Sequence, residues 1–227
     1  MDTEGIAKRL EALEQEVRGL RAVQEIQNLM GRYCVNHVQK NMAASVQFYA
    51  LSQPDVSVEI ADRGVFVGEA ALRSLFQQQF QTPDHLQGYL LHHYLATPMI
   101  EIAGDLKTAK GVWYSPGIEA VTGPDRAEPQ ALWSFGAYAV DFIYENGNWK
   151  IWHMHWFRCV KADFHKGWVD DLSMTVTGRL PNSPELQPTT YHNPYTPASV
   201  QESIPPCPAP YHAWDSADWA VKERPAP

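Results

Sequence analysis

Apolar positions in the first forty residues fall into two helical registers. Ile6, Leu10, Leu13, Val17 and Leu20 alternate four and three apart, an a/d seam with charged flanks. After Gly19 the stripe shifts to Val23, Ile26, Leu29, Met30 and Tyr33, a 3.6-residue face suited to covering a sheet. This spacing predicts one long helix over 6–40, or two in sequence. Further helices are expected over 41–50 (NMAASVQFYA) and 69–80 (EAALRSLFQQQF). Between them QPDVSVEI (53–60) sets Val56, Val58 and Ile60 on one strand face, and VFVG is a short return strand after the turn text ADRG. Four long strands follow, at 90–102, 107–121, 131–145 and 148–160. AGDLK and ENGN between them are turn texts, and Asn146-Gly147 is the strongest hairpin dipeptide. Helices followed by hairpin-linked strands predict an α+β fold, with an antiparallel sheet covered by helices on one side.

From about residue 178 the periodicity gives way to a Pro-rich text. A disordered tail would be poor in aromatics, yet Tyr191, Tyr195, Tyr211, Trp214 and Trp219 fall here. The segment is therefore expected to wrap over the domain or a neighbouring subunit. The implied division is a helical extension at 1–22, a domain at 23–165 and a Pro-rich extension at 166–227. The seam at 6–20 likewise needs cover, from its own domain or from a second subunit.

Composition narrows the function. A net charge of -8 and a pI of about 5.5 argue against nucleic acid or an anionic membrane as partner. No apolar run approaches the roughly 20 residues of a membrane span, and MDTEGIAKRLEALEQEV is helical text rather than a signal peptide. Three scattered cysteines without a CxxC favour reduced thiols and a cytoplasmic address, and Cys34 and Cys159 read as packing residues. Eight Trp and ten Tyr fit either aromatic ligands or simple core filling. GxGxxG after a strand, P-loop, GxSxG and HExxH texts are absent.

Candidate chemistry rests on histidines. His92 and His93 are strand neighbours, so only one can enter a cavity. His153 and His155 share parity with Trp149 and Ile151, so both are expected to line the pocket. HxH is also a metal-ligand spacing that would need a third group such as His93 or Asp141. Lys150, Trp152, Met154, Trp156 and Arg158 take the opposite face, where two indoles call for a second subunit docked sheet to sheet. Tyr33 and His37 lie one helical turn apart, with Lys40 beyond. Trp113, Trp133, Tyr138 and Asp141 sit on the middle strands, the last two facing opposite sides. An Asp beside a His fixes its tautomer and raises its basicity; alternatively Asp141 pairs with Arg158 or Lys150.

IQNLMGRYCVNHV (26–38), PDVSVEI (54–60), GEAALRSLF (68–76), HHYLATPMIEIAGDLKTAKG (92–111) and YAVDFIYENGNWKI (138–151) appear in an order that resembles a known group. This is the SnoaL-like polyketide cyclase and dehydratase branch of the nuclear-transport-factor-2-like superfamily, over about residues 20–160. The resemblance implies a strongly bent antiparallel sheet wrapped around N-terminal helices, an α+β barrel or cone with a pocket at its open end. Members include isomerases, dehydratases, cyclases, dehydrochlorinases and a lyase that removes formaldehyde from lignin-derived diarylpropanes; others only bind ligands. The resemblance further implies no metal and chemistry without a cofactor; the abundance of Trp and Tyr suits a small aromatic substrate, and the seam and the outward indoles suit a homo-oligomer, dimer or trimer. Relatives with dehydratase-like chemistry carry a catalytic histidine in this region, which His93 matches better than His92. Tyr49 stands where such relatives orient a substrate carbonyl through a water. Many relatives have an Asp where this chain reads KNMAAS (40–45), which disfavours a steroid-isomerase mechanism.

The expected catalytic set is therefore His93, Tyr33, His153 and Asp141. His37, Tyr49, His92, Trp113, Tyr138, His155 and Trp133 are expected to bind substrate. The expected function is a cofactor-independent lyase that eliminates water or formaldehyde from a small phenolic, lignin-derived molecule. A non-catalytic binding module of the same fold and a metal enzyme built on His153 and His155 are the alternatives.

Overall fold

A computed structural model describes residues 3–38, 41–79, 87–122, 128–175 and 190–215. Lys40 and Trp219 lie outside the described residues. The periodicity of the first forty residues forms a single helix, α1 (Thr3–Val38). Its second half carries Ala22, Ile26, Leu29, Met30 and Tyr33 into the core, whereas the five seam residues of its first half remain exposed. The seam is thus not covered by its own domain. Among the described residues no helix is long and apolar enough to cross a membrane.

The second expected helix is shorter than its text. α2 (Met42–Ser45) passes into a 3₁₀ turn at Val46–Phe48, because Tyr49 is extended and bridges to Ile151. Strand β1 (Ser57–Ile60) pairs with β2 (Val65–Val67), and α3 (Glu69–Ser74) widens into a π-type turn over Leu75–Gln79.

Two of the four long strands are split. β3 (Leu90–His93) is separated from β4 (Ala96–Ile102), and β5 (Thr108–Ser115) from β6 (Gly117–Val121). Pro116 marks the second break: it has no N–H to give a ladder, and its carbonyl accepts instead from the Tyr94 N–H at 3.0 Å. β7 (Gln130–Glu145) and β8 (Asn148–Asp163) form the spine of the sheet, joined by Asn146-Gly147 with both residues at positive φ, as a type I′ turn requires. A short α4 (Gly167–Asp170) follows.

The sheet order is β2-β1-β8-β7-β5-β4, and β6 pairs with both β7 and β3. The sheet is mixed rather than purely antiparallel, because β1 runs parallel to β8. A chain that leaves α1 and enters β1 before its hairpin partner meets β8 from the same end. The sheet is curved and unclosed, and α1 touches both β8 and β4, so the sheet wraps around the helix. The core occupies the concave side, between α1, α3 and Val58, Val140, Phe142, Ile151 and Met154.

β8 carries two bulges. Asp141 pairs with His153 while Phe142 pairs with Ile151, which leaves Trp152 as an extra residue; Cys159 is extra in the same way. An extra residue reverses the alternation of faces beyond it. Trp149 and Ile151 therefore point inward, but so do Met154 and Trp156. His153, His155 and Phe157 point outward.

Candidate active site

On the concave side β3 and β6 set His93 opposite Gly117. His93 is buried, and its Nε2 lies 3.2 Å from Oε1 of buried Glu119, two residues beyond Gly117 on the same face. Glu119 Oε2 accepts from Lys161 Nζ at 2.7 Å. Burial by itself would raise the Glu119 carboxyl, but the hydrogen bond from His93 and the Lys161 ammonium hold it well below the usual carboxylate range. An ionised Glu119 accepts the Nε2–H proton, which leaves the lone pair on Nδ1. Ser115 Oγ stands 3.5 Å from that Nδ1. A Cβ on residue 117 would come within 2.9 Å of Nδ1 and 2.6 Å of the Ser134 carbonyl, so only glycine fits this close approach.

Aromatic groups complete the surroundings. The His37 ring lies edge-on to His93 at 5.5 Å and the Trp156 ring at 5.7 Å. Tyr33 stacks on His37 at 6.3 Å and meets Tyr138 and Tyr49 edge-on at 6.1 and 6.3 Å. Burial pushes the Tyr33 hydroxyl up to about 12 and those of Tyr49 and Tyr138 well above the ordinary phenol value. All three stay protonated donors at neutral pH. The Tyr49 hydroxyl donates to the Met154 sulfur at 3.2 Å. The Trp156 indole N–H and the Ser134 hydroxyl are buried with no hydrogen-bond partner among the described residues.

The structure thus brings together His93, Tyr33, His37, Tyr49 and Tyr138, with Trp113 deeper in the same core against Phe142. It does not bring His153, Asp141 or His155 to them. The bulge at Trp152 turns His153 and His155 to the convex face, so parity counted from Trp149 fails; Asp141 points there by alternation with Val140 and Phe142. There His153 Nδ1 lies 2.9 Å from Asp141 Oδ2, and Asp141 meets Lys110 at 3.5 Å rather than Arg158 or Lys150. His93, on the other side of the sheet, cannot join His153 and His155 around one metal. Among the described residues no three His, Cys, Asp or Glu side chains group as metal ligands would. His92 also points away and bonds Tyr94 Oη at 3.1 Å. Trp133 stacks with Phe135 and Phe164 outside the cone. Of the two indoles expected outside, Trp156 faces His93, and Trp152 donates to Asp55 and packs on Trp214 at 4.5 Å. Their cover comes from this chain.

For Trp152 and the convex face that cover is the C-terminal extension. Thr190 holds buried Glu59 through its N–H at 3.2 Å and hydroxyl at 2.7 Å, His192 bonds the Arg158 carbonyl, and the Gly104 N–H donates to Tyr211 O. Tyr211 and Trp214 lie over the Lys110 ammonium at 5.3 and 5.7 Å. Between extension and sheet remains a cavity of about 670 Å³, lined by Met99, Val112, Phe135, Phe157, Trp168 and Ile204 among others.

Glu119, Lys161 and Ser115 were not singled out in the sequence. Glu119 shares parity with Gly117 across from His93, a signal available only once the β3–β6 pairing is known.

The family model for the SnoaL-like domain matches residues 18–155. The chain belongs to that family. The SnoaL-like match spans the second half of α1 and the sheet as far as His155, and it leaves out the seam before residue 18 and the C-terminal extension. Solved structures with this fold include a candidate scytalone dehydratase from Novosphingobium aromaticivorans, 13% identical, covering 71% of this chain and 99% of its own with a TM-score of 0.52. A hexachlorocyclohexane dehydrochlorinase (LinA) of type 2 is 12% identical over 70% of this chain and 99% of its own, at a TM-score of 0.54. The type 3 enzyme from Novosphingobium barchaimii is 11% identical over 66% and 94%, at a TM-score of 0.53. These likenesses show the SnoaL-like fold. A comparison with curated proteins gave no match.

Proposed function

We propose that this SnoaL-like chain is a cofactor-independent lyase in which His93 is the general base. The observation that carries the reading is the buried His93–Glu119 pair, with Nε2 committed to the carboxylate at 3.2 Å and Nδ1 left basic. In a dehydration, Nδ1 takes the proton from carbon, the released pair forms the double bond, and the neighbouring C–O bond breaks. His37 or Tyr33 protonates the departing hydroxide to water and recovers its proton from the His93 imidazolium. Placed on the O–H of a hydroxymethyl group, the same base would release formaldehyde, with the C–C pair forming the double bond as hydroxide leaves. The rings of Tyr33, Tyr138, His37 and Trp156 favour a flat phenolic substrate, of which a lignin-derived diaryl compound is one kind. Glu119 is a positioning residue: it acts through the imidazole.

The test is elimination from a panel of phenolic β-hydroxy compounds, followed by absorbance of the conjugated product and by formaldehyde release. His93→Gln should lower kcat by a factor of about 100 to 10,000. Glu119→Gln should lower kcat with KM little changed, and His153→Gln should leave both near the parent values. Activity is expected to survive exhaustive chelation. An active His93→Gln enzyme, or a His153→Gln enzyme as dead as His93→Gln, overturns the assignment. Binding without turnover across the panel would favour a ligand-binding module.

A further inference from the structure

The first half of α1 projects from the fold with an apolar row facing water. Ile6, Leu10, Leu13, Val17 and Leu20 are 51–67% exposed, while burial on the helix begins only at Ala22. At about 100° per residue these five centre on one side of the helix, and Ala22, Ile26, Leu29, Met30 and Tyr33 centre about 180° away. A straight helix docked by the second row cannot fold the first onto the same domain. The domain also lies behind the seam, out of the way of anything that approaches it.

The seam is a heptad text. Ile6, Leu13 and Leu20 take d positions and Leu10 and Val17 take a positions. The flanking g and e positions then decide the partner and its direction. In a parallel pair each g residue meets the e residue five places on in the other helix. Here Arg9 meets Glu14 of a second copy and Glu16 meets Arg21, opposite charges in both layers and on both sides of the pair. In an antiparallel pair the e positions would instead face each other, and Glu14 could lie against Glu14. Leucine at two of three d positions and a β-branched valine at one of two a positions favour two strands.

We infer that α1 residues 3–21 form a parallel two-stranded coiled coil with a second copy of this chain. The seam is only about two and a half heptads long, too short for an isolated peptide. The docked half of α1 supplies the missing helical order, so association does not bear the cost of nucleating the helix.

Sedimentation equilibrium on the full chain tests this. The parent protein should be a dimer at micromolar concentration. Leu13→Glu with Val17→Glu, at positions already exposed, should give a monomer with unchanged near-ultraviolet circular dichroism. Arg9→Glu places like charges across both sides and should weaken the dimer about 5- to 10-fold. Adding Glu14→Arg to Arg9→Glu restores opposite charges only in the parallel arrangement, and the affinity should return to within about twofold of the parent. A monomeric parent protein, a dimer that survives the double glutamate variant, a trimer held by this seam, or failure of the charge swap to rescue would each overturn the inference.

Discussion

Glu119 is an ionised carboxylate inside the protein, tolerated because His93 and Lys161 occupy both of its oxygens. Its pKa is depressed on folding, so the stability it contributes is present above the unfolded carboxylate value of about 4.3 and is lost as pH falls below it. Urea midpoints of the parent protein should therefore drop below about pH 4.3, and Glu119→Gln should be less stable at pH 7 but flatter in acid. His155 works in the other direction of charge. Burial, then neighbouring His192, lowers its pKa well below the ordinary imidazole value, so it is neutral when folded. The unfolded chain takes up that proton below about pH 6.5, and stability falls as pH drops from there. His155→Leu should remove much of the loss between about pH 6.5 and 5, measured by the same midpoints. Residue identities such as His93, Tyr33 and His37 were legible because adjacency on a strand and one-turn spacing on a helix are local rules. Glu119 was not, since its role depends on a partner 26 residues away.

Elements were legible where the signal was local and obscure where partners decided. The Asn146-Gly147 hairpin and α1 follow directly from dipeptide and periodicity. The split at Pro116 could be read from the ring alone, whereas the parallel entry of β1 beside β8 depends on topology. The bulge at Trp152 had the largest effect, because it exchanged the faces of His153 and Trp156. Parity counting assumes an unbroken ladder, and no residue in NWKIWHMHW announces the extra position. Trp152 is the extra residue, so deleting it should be tolerated about as well as Trp152→Ala. Both changes cost one half-buried indole, roughly 1–3 kcal/mol, and in both His153 and His155 stay outward and Met154 and Trp156 inward, because the strand without Trp152 alternates regularly from Ile151 to His153. Circular dichroism and urea titration should show a folded chain with a cooperative transition for both variants; loss of the transition in the deletion alone would contradict the bulge assignment.

At the scale of the molecule, a SnoaL-like core sits between two additions that the family model omits. The seam at one end was visible as a heptad and the extension at the other as an aromatic, Pro-rich text, but the sequence held no sign of which surface each would meet. Deleting residues 190–227 should expose Phe157, His155 and Trp152, lower the Tm by several degrees and raise binding of an apolar dye. Association of the truncated chain should then persist in the Leu13→Glu, Val17→Glu background, through the uncovered sheet, and light scattering would read it. The tether has a further consequence. A segment joined covalently to its own docking surface acts at an effective concentration of about a millimolar. A free neighbour at about a micromolar begins a thousandfold behind in that contest. Each chain therefore occupies its own convex face before a second copy can, while the apolar row of α1 stays open to one.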